Sequence, residues 1–155
     1  MCCTPFGLNS TPVQVLTRVL MQQLFEYVDA KLLNHLLLNK HACTYSNAEI
    51  MVAGMNQIEQ MLMNIGQEWF GNSFDKLARL RQAITFLVVS NKGRKTLEEF
   101  TQGILPGICP DLNLAQVYRL CVQYVDDKYG SASIQSSVLM GFQKRLKGAK
   151  AAERG

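Results

Sequence analysis

Residues 11–39 read TPVQVLTRVLMQQLFEYVDAKLLNHLLLN. Thr11, Pro12 and Gln14 stand as N-cap, first-turn proline and third-position amide, a capping box whose backbone geometry the proline has already set. From there Val15, Leu16, Val19, Leu20, Leu24, Tyr27, Val28, Leu32, His35 and Leu36 recur at steps of three and four. That spacing predicts one helix of about 27 residues, roughly 40 Å long. Its last turns are apolar nearly all round, the pattern of an element buried on several sides. His35, set in that leucine-rich face, reads as a hydrogen-bonded core residue.

Outward from this helix, further segments carry their own start and stop signals. In YSNAEIMVAGMNQIEQMLMNIG (Tyr45 to Gly66), Ser46 and Glu49 form a second capping box and Gly66 suits a helix end. Ile50, Ala53/Gly54, Ile58, Met61, Leu62 and Ile65 make the expected inward stripe, with Gly54 predicting close approach of another backbone. Met51, Met55, Met61 and Met63 read mainly as core filling, and otherwise as an adaptable surface. A third helix is expected from Asn72 or Ser73 to Ser90, with Phe74, Leu77, Leu80, Ile84 and Leu87 inward. Phe86 and Val89 fall off that stripe, so the run from Ile84 to Val89 is expected to be buried on several sides, the alternative being a partly exposed apolar patch.

Thr96 to Glu99 is another capping box, opening a short helix that should end before Pro106. Asn113 to Gln116 caps the next, which carries Leu114, Val117, Tyr118, Cys121 and Val125. Ser133 starts the last, with Ile134, Val138, Phe142 and Leu146 inward and Gly148 at its end. No alternating, β-branched run competes, and no repeat appears. The fold class is therefore all-α, a bundle of about six helices. It divides into an extension (1–10), a helical domain (11–147) and a basic flexible tail (148–155).

Composition narrows the function. The chain has 155 residues, 48% hydrophobic and 18% charged, with a formal charge of +4. The excess sits in Lys144, Arg145, Lys147, Lys150 and Arg154, and the body before them carries as many acidic as basic residues. No phosphate-binding face is expected, so no nucleic-acid partner. Five cysteines, at Cys2, Cys3, Cys43, Cys109 and Cys121, lack framework spacing and read as reduced thiols. No apolar run reaches the ~18 residues of a membrane span, and Cys2 and Cys3 are only a weak acylation signal.

Catalytic material is sparse. His35 and His41 are the only histidines, and His41 with Cys43 has no second pair at zinc-like spacing. Asp126-Asp127 and Glu98-Glu99 are neighbours pointing about 100° apart on a helix, which is no arrangement for acid–base work. There is no phosphate loop, GxSxG or HExxH. No catalytic, cofactor or metal site is expected, and Lys92 to Lys95 (KGRK) forms a compact basic loop.

The run FGNSFDKLARLRQAITFLVVSNKGRKTLEEF (70–100), followed by CPDLNLAQVYRLCVQYVDDKYG (109–130), resembles the globular tail, or dilute domain, of class XI myosins, the plant and algal relatives of class V myosins. DAKLLNHLLLNKHACTYSNAEIMVAG (29–54) is similar to the same tail, and the likeness spans about Leu24 to Tyr129. The resemblance implies a helical cargo-binding module of an actin-based motor, meeting Rab-type small GTPases and cargo adaptors in vesicle or organelle transport. It implies a cytoplasmic place on cytoskeleton or vesicles, contact with membrane only indirectly, and docking back onto the parent's motor domain. The chain itself holds no ATP-binding loop, IQ repeats or sustained heptads.

Departures from the family pattern bear on specificity. ILPGICPDLN is longer than the usual connection, and Val125 stands where plant relatives tend to carry Trp. Ala53, Thr85 and Val88 align with positions that some class V tails use against a GTPase, so those contacts do not transfer. The expected partner-binding surface is Ala53, Gln57, Thr85, Val88 and Val89, beside Lys92, Arg94 and Lys95. Two other classes compete with it. One is a structural or autoinhibitory domain packing within a larger chain, and the other a membrane-surface module relying on Cys2, Cys3 and the tail.

Overall fold

A computed structural model describes residues 11–130 and 133–152. Seven α-helices occur among them: α1 Pro12–Leu38, α2 Tyr45–Ile65, α3 Gln67–Phe70, α4 Ala78–Val88, α5 Leu105–Ile108, α6 Leu114–Gln123 and α7 Ser136–Ala152. A 3₁₀ segment, Ser73–Leu77, leads into α4, a second covers Lys92–Arg94, and a π segment, Glu99–Ile104, leads into α5. Among the described residues the one strand-like feature is an isolated parallel bridge between Thr44 and Val125. The fold is all-α.

Local signals set most of the boundaries. Thr11 Oγ1 accepts from the Gln14 N–H (3.3 Å) while Gln14 Oε1 accepts from the Thr11 N–H (2.8 Å). The boxes at Thr96/Glu99 and Asn113/Gln116 close in the same reciprocal way. Gly66 ends α2 with φ 102°.

The box expected at Ser46 and Glu49 does not form. Thr44 is the cap, its Oγ1 accepting from the Asn47 N–H at 3.2 Å. A long-range pairing explains the shift. The Val125 N–H donates to Cys43 O (3.0 Å) and the Tyr45 N–H to Val125 O (3.1 Å), which fixes where the helix can start. Ser46 then donates its N–H to Asp127 Oδ1 (2.9 Å), and Glu49 accepts from Lys128 Nζ (2.6 Å).

Four more boundaries differ from expectation. The third helix opens as 3₁₀ and stops at Val88, where Val89 turns extended and Asn91 takes φ 57°. Pro106 does not end its helix. The π segment widens the turn before it, the Leu105 N–H reaches back to Phe100 O, and the proline, lacking an N–H, sits at the start of α5. Val125 lies beyond α6, exposed and extended. The last helix begins at Ser136 instead of Ser133 and passes Gly148 to Ala152, so part of the expected tail is helical.

Packing follows from register. Residues near 26 and 29 of α1 meet residues near 76 and 79, so α1 runs parallel to the 3₁₀–α4 segment. α2 runs antiparallel to α4, since Tyr45 lines a cavity with Val89 while Glu59 meets Arg81. Leu33, Leu36, Leu62, Leu77, Leu80, Ile84 and Leu87 are buried between them. A second joint sets Phe86 of α4 at a tilt against Phe100 (6.2 Å between ring centroids) and Phe100 edge-to-face against Phe142 of α7 (6.0 Å). Here α7 comes so close that a Cβ on Gly141 would collide with the Leu97 side chain.

The inward faces of α1 and α2 are not the stripes expected from periodicity. α1 buries Phe25, Asp29, Leu33, Leu36 and Leu37, leaving Val15, Leu16, Val19, Leu20, Leu24, Tyr27 and Leu32 exposed. His35 is exposed too, with Asn39 Nδ2 3.5 Å away. α2 buries Ala48, Met55 and Leu62, and turns Ile50, Met61 and Ile65 outward. Met51 is half-buried and Met63 exposed, so the methionines are divided between core and surface. Both helices are apolar on two faces, and only the tertiary packing selects the inner one.

Candidate functional site

The expected surface residues fall into two groups. At about 100° per residue, Ala53 and Gln57 point roughly 160° and 200° away from buried Met55, on the outer face of α2. Thr85, Val88 and Val89 lie at the end of α4, Thr85 exposed and the two valines half-buried. Arg94 is exposed, and Lys95 pairs with Glu99 at 3.5 Å. The fold does not bring Ala53 and Gln57 onto the side of α2 that meets α4.

Lys92 is not available to a partner. It is 1% exposed, and its Nζ donates to Leu87 O and Val89 O, both at 2.7 Å. It also lies 3.8 Å from the Tyr124 ring centroid. The ammonium thus closes the carbonyl end of α4, where the helix dipole favours a cation. Burial pushes its pKa down to about 8.

Sequence reasoning missed what the structure turns outward. On α1, Val13, Leu16, Leu20, Leu24 and Tyr27 form an exposed row. On α2 the outer face carries Ile50, Ala53, Gln57, Met61 and Ile65, with Ile50 70% exposed. Gly54 lies on this side, and no described residue comes within 4 Å of a Cβ placed there, so the expected backbone contact is absent among the described residues. Between the end of α1 and the start of α2 a cavity of about 390 Å³ is lined by Leu32, Leu36, Ile50 and Met51, with His35 and Asn47 at its edge. The signal for these rows was present in the doubly apolar helices.

The described thiols are buried and unreactive in character. Cys43 donates to Leu36 O at 3.0 Å, and burial raises its pKa to about 11. Burial raises Cys109 and Cys121 to about 12. Among the described residues no group of three or more His, Cys, Asp or Glu could hold a metal, and no helix is long and apolar enough to cross a membrane. Cys2 and Cys3 lie outside the described residues.

Two apolar rows thus face outward on the helical frame, contiguous in a way that scattered surface side chains are not. The chain belongs to the DIL domain family, which matches residues 19–128. It is 39% identical over 129 residues to Protein OPAQUE1 of Zea mays and 39% identical over 131 residues to Myosin-17 of Arabidopsis thaliana. Myosin-15 of the same plant is 38% identical over 122 residues. These matches cover 83%, 84% and 79% of this chain but 8% of each relative. The chain therefore spans less than a tenth of the length of those relatives, and its likeness to class XI myosin tails stands.

Proposed function

We propose that this chain is the cargo-docking part of a myosin tail, binding Rab-type small GTPases and adaptor proteins so that a motor can carry vesicles or organelles. The carrying observation is the pair of outward apolar rows on α1 and α2 in a chain of the DIL family. A soluble domain that left such rows bare would self-associate, so a protein partner is their natural cover. The polar residues Gln57 and Gln60 interrupt the α2 row as a docking interface requires. Thr85, Val88, Val89, Arg94 and Lys95 form a second, smaller contact area at the end of α4. The reading places the chain in the cytoplasm on cytoskeleton or vesicles, and assigns it no catalysis.

The test is binding of the purified chain to a panel of small GTPases loaded with GDP or a non-hydrolysable GTP analogue. Ile50→Asp and Met61→Asp on α2 should each weaken binding about tenfold or more while leaving helical content unchanged. Val88→Asp should do the same if the α4 end takes part. Binding that ignores all three substitutions in folded protein refutes both surfaces.

A second reading is favoured by the small share of the relatives that the chain spans. The same rows would then pack against other parts of the parent, including its motor domain, as an autoinhibitory contact. Adding the remaining tail of the parent in trans should then suppress self-association of this chain, and GTPase binding would be unaffected by Ile50→Asp.

A further inference from the structure

Where α2 ends, the chain folds back twice, through Gly66 at φ 102° and Gly71 at φ 59°. The fold-back sets α3 and the following turn against the last two turns of α2, leaving a cavity of about 370 Å³. Leu62, Phe70 and Phe74 line its floor, Met63 flanks it at 67% exposure, and the carboxylates of Glu59 and Asp75 stand at its edge. Among the described residues no lysine, arginine or histidine lines the cavity itself, and the nearest basic group described against its lining, Arg81, lies over the Phe74 ring. The Asp75 backbone is tied into the 3₁₀ turn, its N–H donating to Asn72 O and its carbonyl accepting from the Ala78 N–H, while its carboxylate makes no hydrogen bond or ion pair with any described residue. Glu59 has one ionic contact, Oε1 to the Arg81 guanidinium, at a long 4.0 Å.

We propose that this groove receives a protein segment presenting an arginine or lysine one helical turn from a large apolar side chain. The inference rests on the docking reading only for the existence of a protein partner, and it concerns a different face from the outer row of α2. The apolar floor offers burial to a leucine, methionine or phenylalanine, and the volume suits a large side chain with the stem of a second. The two edge carboxylates then select the charge of its neighbour, since an acidic neighbour would meet like charge in a partly desolvated site.

The protein holds its own example of the arrangement. The Arg81 guanidinium lies 4.9 Å from the Phe74 ring centroid while reaching toward Glu59. A partner's cation would repeat this stacking-plus-carboxylate geometry against Asp75 on the same aromatic floor.

The wall is also pre-organised. Arg18 Nε of α1 donates to Glu68 O at 2.7 Å, Gln22 Nε2 donates to Asn72 Oδ1 at 3.3 Å, and Lys76 pairs with Glu26 at 3.0 Å. Three ties to the longest helix hold the fold-back in place before anything binds, so little ordering cost opposes docking.

The test uses the full chain and a labelled, end-blocked alanine–glutamine peptide of 14 residues carrying Leu and Arg at i and i+4. Matched controls replace Arg by Glu, or Leu by Ala. Fluorescence anisotropy at low salt should show the Leu–Arg peptide binding at least about tenfold tighter than either control, with the advantage over the Glu peptide shrinking at high salt. Asp75→Asn and Glu59→Gln, both outside the core, should each lower its affinity about three- to tenfold with an unchanged circular dichroism spectrum. Ile50→Asp, on the other face, should leave peptide binding alone, so loss of GTPase binding and loss of peptide binding are separable. Equal affinity for the Arg and Glu peptides, no binding at millimolar peptide, or full affinity in Asp75→Asn overturns the proposal.

Discussion

At the scale of single residues, two buried charges hold the bundle in register. Asp29 is 1% exposed, with Oδ2 accepting from Arg79 Nε at 2.9 Å and pairing with Arg79 Nη2 at 2.8 Å, and Oδ1 accepting from the Leu80 N–H at 2.8 Å. One carboxylate thereby joins α1 to the first turn of α4. Asp29→Ala leaves the Leu80 N–H buried without an acceptor and frees a half-exposed guanidinium. It should cost about 2–3 kcal/mol, read as a lower urea midpoint at unchanged slope. Asp29→Asn keeps an acceptor for Leu80 and should cost less. Lys92 does the equivalent at the other end of α4, and Lys92→Met, which strips two carbonyls of their donor, should cost about 1–3 kcal/mol. Neither role was legible beforehand. Asp29 gave no signal, and Lys92 looked like part of an exposed basic loop because its partners are the carbonyls of a helix end.

At the scale of elements, caps were readable because they are local. Thr11/Gln14, Thr96/Glu99 and Asn113/Gln116 each close within four residues, so spacing alone announces them. Ser46/Glu49 had the same spacing and failed, since both residues answer to the segment Asp126–Lys128 some eighty positions away. Orientation was less legible than existence. α1 and α2 were found nearly residue for residue, yet the face each buries depends on what packs against it. Gly54 tests this. With empty space where its Cβ would stand, Gly54→Ala should stabilise the isolated chain by about 0.5–1 kcal/mol through helix propensity. If a partner helix crosses α2 at this point, the same methyl group should weaken binding, so stability and affinity would move in opposite directions. Gly141 is the counter-case. Gly141→Ala should destabilise the chain against the Leu97 side chain, and Leu97→Ala in the same molecule should recover part of the loss.

At the scale of the whole molecule, the buried ionisable groups give the fold a distinct response to alkali. Burial raises Cys43 from 9.0 to about 11, Cys109 and Cys121 from 9.0 to about 12, and Tyr124 from 10.0 to about 12. Each keeps its proton in the folded chain at pH values where the unfolded chain has lost it, so each withdraws stability as pH rises past its unfolded value. Lys92 acts in the other direction. Lowered from 10.5 to about 8, it sheds its proton in the folded state first, and stability gains between those two values. One lysine nearly offsets three thiols at the start of their titration, but not three thiols and a phenol beyond it. Stability should stay close to level up to about pH 8.5 and fall steeply above pH 9. Urea midpoints taken from pH 7 to 10.5 would show this. In Lys92→Met the level stretch should disappear and the decline should begin earlier, whereas Cys121→Ala should make the decline shallower. A midpoint that climbs steadily from pH 8 to 10 would mean that Cys43, Cys109 and Cys121 are not buried in the folded chain.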